Sequence, residues 1–293
     1  MLRVLLILLV TLPAFAADKA AQLDAFIARY HEMGLFNGAA LVAEGGRPIL
    51  RKGYGEANME WHIPNAPDTR FRLGSMTKQF TAALIMKMVE NGQIDLAAPI
   101  TRYLPDYPKL TGNRITIHQL LNHTSGIPGY TDLPEWRASV REPCTPTKFI
   151  DIFSRHELLF EPGTKFSYNN SGFFLLGVIL EKVSGKHYEQ LLRERIFDPL
   201  GMRESGYDST RPLIEKRAAG YDQTLDGYVN TSYIDMGQPY AAGSLYSSGD
   251  DLLLWDQALY GNKVLNDVSN RRCSRPASGT TGTDFSSTKA PSR

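Results

Sequence analysis

Phe71-Arg72-Leu73-Gly74-Ser75-Met76-Thr77-Lys78-Gln79-Phe80-Thr81 is the stretch on which the reading of this chain turns. It leads into an apolar run that predicts a helix from Ser75 to Glu90, closed by the stop Asn91-Gly92. A serine and a lysine three residues apart on a helix lie about 60° apart around the cylinder and one turn apart along it. That geometry lets the Lys78 amine reach the Ser75 hydroxyl. Serine is a weak nucleophile until a neighbouring base takes its proton. A free lysine, with a pKa near 10.4, is protonated at neutral pH, and burial beside the hydroxyl would lower that value. Spacing alone is weak evidence, because the same four-residue pattern recurs at Ser286.

The rest of the 293-residue chain narrows the options. Basic and acidic residues nearly balance, 32 against 31, and 42% hydrophobic content suits one large globular domain or two intimate ones. No basic block is interleaved with aromatics, so nucleic acid is not an expected partner. The six histidines form no H-x-H or H-E-x-x-H pair and the cysteines do not cluster, so we expect no metal and no cofactor. Cys144 and Cys273 are free to pair in an oxidising compartment, but two isolated cysteines make no disulfide scaffold.

Residues 1–16 combine Arg3, an apolar core from Val4 to Leu12 and the small-x-small site Ala14-Phe15-Ala16. This reads as a signal peptide, too short to span a membrane, rather than a buried N-terminal helix. We therefore expect a periplasmic or secreted protein beginning near Ala17, with no membrane span after cleavage.

Helical spacing of Leu23, Phe26, Ile27 and Tyr30 predicts an amphipathic helix over Asp18 to Met33. Gly38 to Ala43 and Pro48 to Tyr54, joined by Glu44-Gly45-Gly46-Arg47, predict a β-hairpin. Thr116-Ile117-His118-Gln119 is a capping box opening a short helix to Asn122. Further helices are predicted from Thr145-Pro146 to Phe153, Ser171 to Val183, His187 to Phe197 and Asp250 to Tyr260. The helix from Ser171 is apolar nearly throughout and so central.

A serine nucleophile also needs a proton carrier for the leaving group. A tyrosine beside a lysine cation can serve, since the charge favours the phenolate. Tyr-x-Asn occurs at Tyr168, Tyr228 and Tyr260. Tyr260 ends a helix, and Tyr228-Val229-Asn230 follows Asp226-Gly227 and reads as a turn. Tyr168-Asn169-Asn170 lies between Glu161-Pro162-Gly163 and the buried helix, a loop held at the entrance of a core element.

Taken in order, these stretches resemble the serine β-lactamase and penicillin-binding-protein superfamily, in particular class C β-lactamase-like hydrolases and family VIII esterases. The resemblance rests on the Ser75 stretch, on Leu120-Leu121-Asn122-His123-Thr124-Ser125-Gly126-Ile127, on Glu161-Pro162-Gly163 with Tyr168-Asn169-Asn170, and on Ala242-Gly243-Ser244-Leu245-Tyr246-Ser247. It runs from about residue 22 to 270. It implies that Ser75 is acylated, Lys78 activates it, Tyr168 shuttles a proton and Asn170 binds the substrate amide. Which group is the acylation base stays open. No G-x-S-x-G elbow exists, which counts against an α/β-hydrolase and leaves His123 a structural reading.

The implied fold is α/β plus all-α: an antiparallel sheet flanked by helices, with a helical region beside it. Its parts are a signal peptide (1–16), an α/β region with the nucleophile helix (17–100), a helix-rich region (101–200), a return segment (201–270) and an aberrant or disordered tail (271–293). The family's third motif, a Lys-Thr-Gly or His/Trp-Gly-Gly on a C-terminal strand, is not found after Tyr168. A shifted reading frame from Arg272 permits Met-Phe-Thr-Pro-Gly-Leu and then Tyr-Gly-Tyr-Gly-Phe, so we expect residues from about 271 to be translated out of frame. The C-terminal strands would then be missing, and the Gly38–Tyr54 hairpin would leave Leu41, Val42, Ile49 and Leu50 partly exposed. The expected function is a secreted serine hydrolase acting through an acyl-enzyme on a small-molecule or peptide substrate: β-lactam, D-alanyl peptide or short-chain ester. The rival is a catalytically impaired penicillin-binding-like protein that binds cell-wall peptide or a partner.

Overall fold

A computed structural model of the protein describes residues 12–273. Most of the expected leader, and the tail from residue 274 on, lie outside the described residues.

Helix α1 spans Leu12–Glu32, and strands β1 (Gly38–Glu44) and β2 (Arg47–Tyr54) form the predicted hairpin. Gly45 and Gly46 at its tip have φ of +56° and +76°. Two consecutive positive φ values match the right-handed twist of the strands, and glycine adopts them without a Cβ penalty. Asp24 of α1 accepts from Lys52 Nζ and Tyr54 OH of β2, at 2.8 and 2.7 Å, and fixes the helix on the hairpin. No third strand hydrogen-bonds to this hairpin among the described residues. Leu50 is buried, whereas Leu41, Val42 and Ile49 are half-buried.

Short strands β3 (Glu56–Asn58), β4 (Ile63–Pro64) and β5 (Phe71–Arg72) lead to α2, Thr77–Glu90. The helix predicted from Ser75 therefore begins as a 3₁₀ turn, Gly74–Met76. The middle of the chain holds α3 (Lys109–Gly112), α4 (Ile117–Leu121), α5 (Pro134–Ser139), α6 (Pro146–Ser154) and α7 (Asn170–Ser184). Thr116 and Gln119 form the capping box in full. The helix predicted over His187 to Phe197 is α8 (Tyr188–Leu192) running into a π-turn, Arg193–Phe197, and then α9 (Asp198–Leu200).

After β6 (Gly206–Tyr207) comes a second hairpin, β7 (Tyr221–Thr224) with β8 (Gly227–Asn230). Tyr228-Val229-Asn230 is thus a strand paired with β7, and the turn lies just before it. Asp226-Gly227 marked the turn correctly, but alternation over four residues is too short to signal a strand. The chain closes with β9 (Leu245–Ser247), α10 (Gly249–Leu259) and α11 (Asp267–Cys273).

Two packing features place the site. Strand β9 sits between β5 and β6, with Arg72 opposite Tyr246 and Tyr246 opposite Gly206. Leu73 N–H donates to Leu245 C=O at 2.8 Å, which ties this sheet to the start of α2. The buried core is centred on α2 and α7, whose Ala82–Met86 and Phe173–Leu180 are buried at every position. Phe174 stacks on Phe149 at 4.4 Å, and Phe80 stacks on Trp255 at 4.3 Å. Such offset aromatic pairs add to the area they bury.

Candidate active site

Ser75 lies in the 3₁₀ turn that opens α2, exposed, with its backbone N–H at the positive end of the helix. One turn on, Lys78 is wholly buried. Its Nζ lies 3.1 Å from Ser75 Oγ, 2.9 Å from Asn170 Oδ1 and 2.8 Å from the Ala242 carbonyl. The two carbonyl oxygens can only accept, so each takes an N–H and the remaining tetrahedral position of the amine faces Ser75. The lysine also sits 4.9 Å over the Tyr168 ring and 5.6 Å over that of Phe173.

Tyr168 reaches the hydroxyl from the other side, its OH donating to Ser75 Oγ at 2.7 Å. Its loop is fixed by the residue after it. Asn169 caps α7, accepting from Gly172 N–H at 2.7 Å, while its Nδ2 donates to Ile127 C=O at 2.6 Å. Asparagine is a favoured N-cap because its oxygen satisfies an otherwise orphaned helix amide. Asn170 opens α7, and its Nδ2 donates to Thr131 Oγ1 at 3.3 Å. Of the four expected site residues, Lys78 and Tyr168 thus meet on the Ser75 hydroxyl, and Asn170 joins them through Lys78.

A family model described as Beta-lactamase matches residues 23–290, nearly the whole chain. The chain belongs to the β-lactamase family. It is 32% identical over 246 residues to the putative penicillin-binding protein PbpX of Bacillus subtilis, covering 84% of this chain and 60% of that one. It is 35% identical over 213 residues to esterase EstB of Burkholderia gladioli, covering 67% and 54%. The D-amino acid amidase of Ochrobactrum anthropi SV3, solved with L-phenylalanine amide, superposes with a TM-score of 0.74 at 29% identity, over 92% of this chain and 78% of that one. The chain therefore spans little more than half the length of the two sequence relatives. Helices around small antiparallel sheets, as expected for this family, are what the fold contains.

The other candidates fall away from the hydroxyl. Tyr228 OH donates to Gly34 C=O, and Tyr260 OH lies 3.4 Å from Asp256. Ser171 is buried, its Oγ donating to Pro128 C=O and accepting from Tyr130 N–H. Ser286 lies outside the described residues. His123 has its Nδ1 taken by the backbone, accepting from Asn169 N–H at 3.0 Å. Burial pushes the phenols of Tyr130, Tyr188 and Tyr240 up, which keeps all three neutral.

Two contacts escaped the sequence. Ala242 contributes a backbone carbonyl, and Thr131 holds Asn170 from a loop with no motif of its own. Only the Ala242-Gly243-Ser244 landmark hinted at the first. Among the described residues no cluster of three metal-ligating side chains occurs, and no helix is long and apolar enough to cross a membrane. Cys144 is a free thiol, and the Cys273 side chain lies outside the description.

Proposed function

We propose that this protein is a serine hydrolase that acts on small esters or amides through an acyl-enzyme on Ser75. The observation that carries the reading is the double contact on one hydroxyl, Lys78 Nζ at 3.1 Å and Tyr168 OH at 2.7 Å. In the first half-reaction Ser75 Oγ attacks the substrate carbonyl carbon as its proton passes to Lys78, which this reading requires to be a neutral amine. The tetrahedral oxyanion forms near the Ser75 N–H at the helix start. It collapses as the bond to the leaving group breaks, Tyr168 gives that group its proton, and the Lys78 ammonium, which took the Ser75 proton, returns it to the Tyr168 phenolate. In the second half-reaction water attacks the acyl carbon, its proton enters the same relay, and Ser75 leaves with a proton restored. Asn170, locked between Lys78 and Thr131, orients the amine and offers its amide edge to the substrate.

The ester and D-amino acid amide classes come from the names of the relatives, an esterase and a D-amino acid amidase. The leader-like sequence of residues 1–16 favours work outside the cytoplasm. Labelling of the full chain with a fluorophosphonate, read by intact mass and peptide mapping, tests the reading. The expected result is a single adduct on Ser75, lost in Ser75→Ala. No adduct, with binding of cell-wall peptide retained, would instead support the non-catalytic relative.

A further inference from the structure

His123 differs from the other five histidines, all among the described residues, in being buried. It is 2% exposed and adopts φ of +59°, in the left-handed region. Side chains other than glycine enter that region only under constraint, with Asn, Asp and His over-represented among them. What the position accomplishes is specific. The His123 carbonyl accepts from Ser167 N–H at 2.8 Å, and its Nδ1 accepts from Asn169 N–H at 3.0 Å. These are the two amides on either side of Tyr168. The imidazole is also tilted against the Tyr168 ring at 4.7 Å and the Phe173 ring at 5.2 Å, with Phe166 edge-on at 5.8 Å. One residue therefore grips the backbone before and after the tyrosine and packs under its phenol.

A backbone N–H can only donate, so Nδ1 carries no proton and a neutral ring bears its proton on Nε2. We infer that His123 is a positioning residue for Tyr168: as the Nε2-protonated tautomer it clamps the amides flanking that tyrosine and so holds the phenol on Ser75 Oγ. The inference rests on the hydrolase reading above for its kinetic consequence, but not for its geometry. A misplacement of about 1 Å in a reacting group can cost about a hundredfold in rate, so a clamp of this kind acts on kcat rather than on substrate affinity.

Two variants separate positioning from mere filling. His123→Phe keeps a flat ring against Tyr168 and Phe173 but offers no acceptor to Asn169 N–H. His123→Asn loses the ring, tolerates the left-handed backbone and presents Oδ1 as an acceptor. With a p-nitrophenyl ester, His123→Phe should lower kcat by about a hundredfold with KM changed by less than about threefold. His123→Asn should recover to within about tenfold of the parent. In the ¹⁵N spectrum of the parent, Nδ1 should show the shift of an unprotonated nitrogen and a scalar coupling to the Asn169 amide nitrogen. A folded His123→Phe variant with kcat within about twofold of the parent would overturn the inference, as would equal losses in both variants or a proton on Nδ1. If the parent itself neither turns over nor labels, the hydrolase reading has failed. The Tyr168 ¹³Cζ resonance then decides: it must shift in His123→Phe and return in His123→Asn, and no movement sinks the clamp.

Discussion

Gly177 of α7 and Ala241 approach so closely that a methyl group on Gly177 would lie 2.4 Å from Ala241 Cβ. The same methyl would meet Tyr240 Cε1 at 2.5 Å. This contact seats the Tyr240–Ala242 turn on the central helix, where the Ala241 carbonyl accepts from Thr81 and the Ala242 carbonyl from Lys78. In an open helix, Gly→Ala gains about 1 kcal/mol. Here overpacking, at about 1–3 kcal/mol, wins. Gly177→Ala should lower the melting temperature by several degrees and reduce ester turnover through the displaced Ala242 carbonyl. A melt at or above the parent's would show that the turn gives way freely.

Lys78→Arg tests the amine as a proton acceptor. Arginine keeps the charge at any accessible pH and presents a planar fork instead of a single tetrahedral nitrogen. Phosphonylation of Ser75 by the fluorophosphonate should be lost while unfolding stays cooperative. Labelling at near the parent rate would assign Lys78 a purely electrostatic part.

Tyr168→Phe keeps the ring beneath Lys78 and removes the oxygen 2.7 Å from Ser75 Oγ. The side chain is 47% exposed, so stability should change by less than about 0.5 kcal/mol. General-acid assistance is worth about 10²–10⁴-fold, and a nitrophenolate leaves without a proton whereas an amine does not. Loss of kcat should therefore be larger for a D-aminoacyl amide than for a p-nitrophenyl ester. Equal losses on both substrates would point to Tyr168 acting on Ser75 instead of on the leaving group.

Asp251 gives a pH-dependent signature in stability. It is buried at the start of α10, where its carboxylate accepts from Glu204 N–H and Ser205 Oγ, both at 2.7 Å. Burial raises its pKa above the ordinary 3.8, and those two hydrogen bonds oppose the rise without cancelling it. The folded chain thus holds this proton more tightly than the unfolded chain. As pH rises, the unfolded chain releases the proton first, and the Asp251 contribution to stability falls from about pH 4 upward. Asp251→Asn keeps an acceptor oxygen and removes the titration, so denaturant midpoints measured across that range should fall less steeply than in the parent. Parallel profiles would rule out Asp251 as the titrating group.

Local order was legible wherever the signal fits within a few residues. The Thr116–Gln119 capping box, the Gly45-Gly46 turn and the apolar run of α7 each fold as their own residues dictate, because caps, positive φ and amphipathic period act over one or two turns. The Ser75–Lys78 pair belongs to the same class, since three residues on a helix fix their spacing. So does the placement of Tyr168 in a loop ahead of a buried helix.

What only the tertiary structure decided is the company these residues keep. Lys78 meets the Ala242 carbonyl across 164 residues of chain, and Tyr168 meets Ser75 across 93. A backbone carbonyl has no side-chain identity to read, and short strands such as β5, β6 and β9 become a sheet only by pairing with distant partners. The sequence determined which residues could do chemistry and what helices and turns carry them. Burial of α7 against α2, and the close seating of Ala241 on Gly177, accompany the meeting of Tyr168 with Ser75 and of the Ala242 carbonyl with Lys78. Packing free energy is a property of surfaces brought together, and the chain does not hold those surfaces until it has folded.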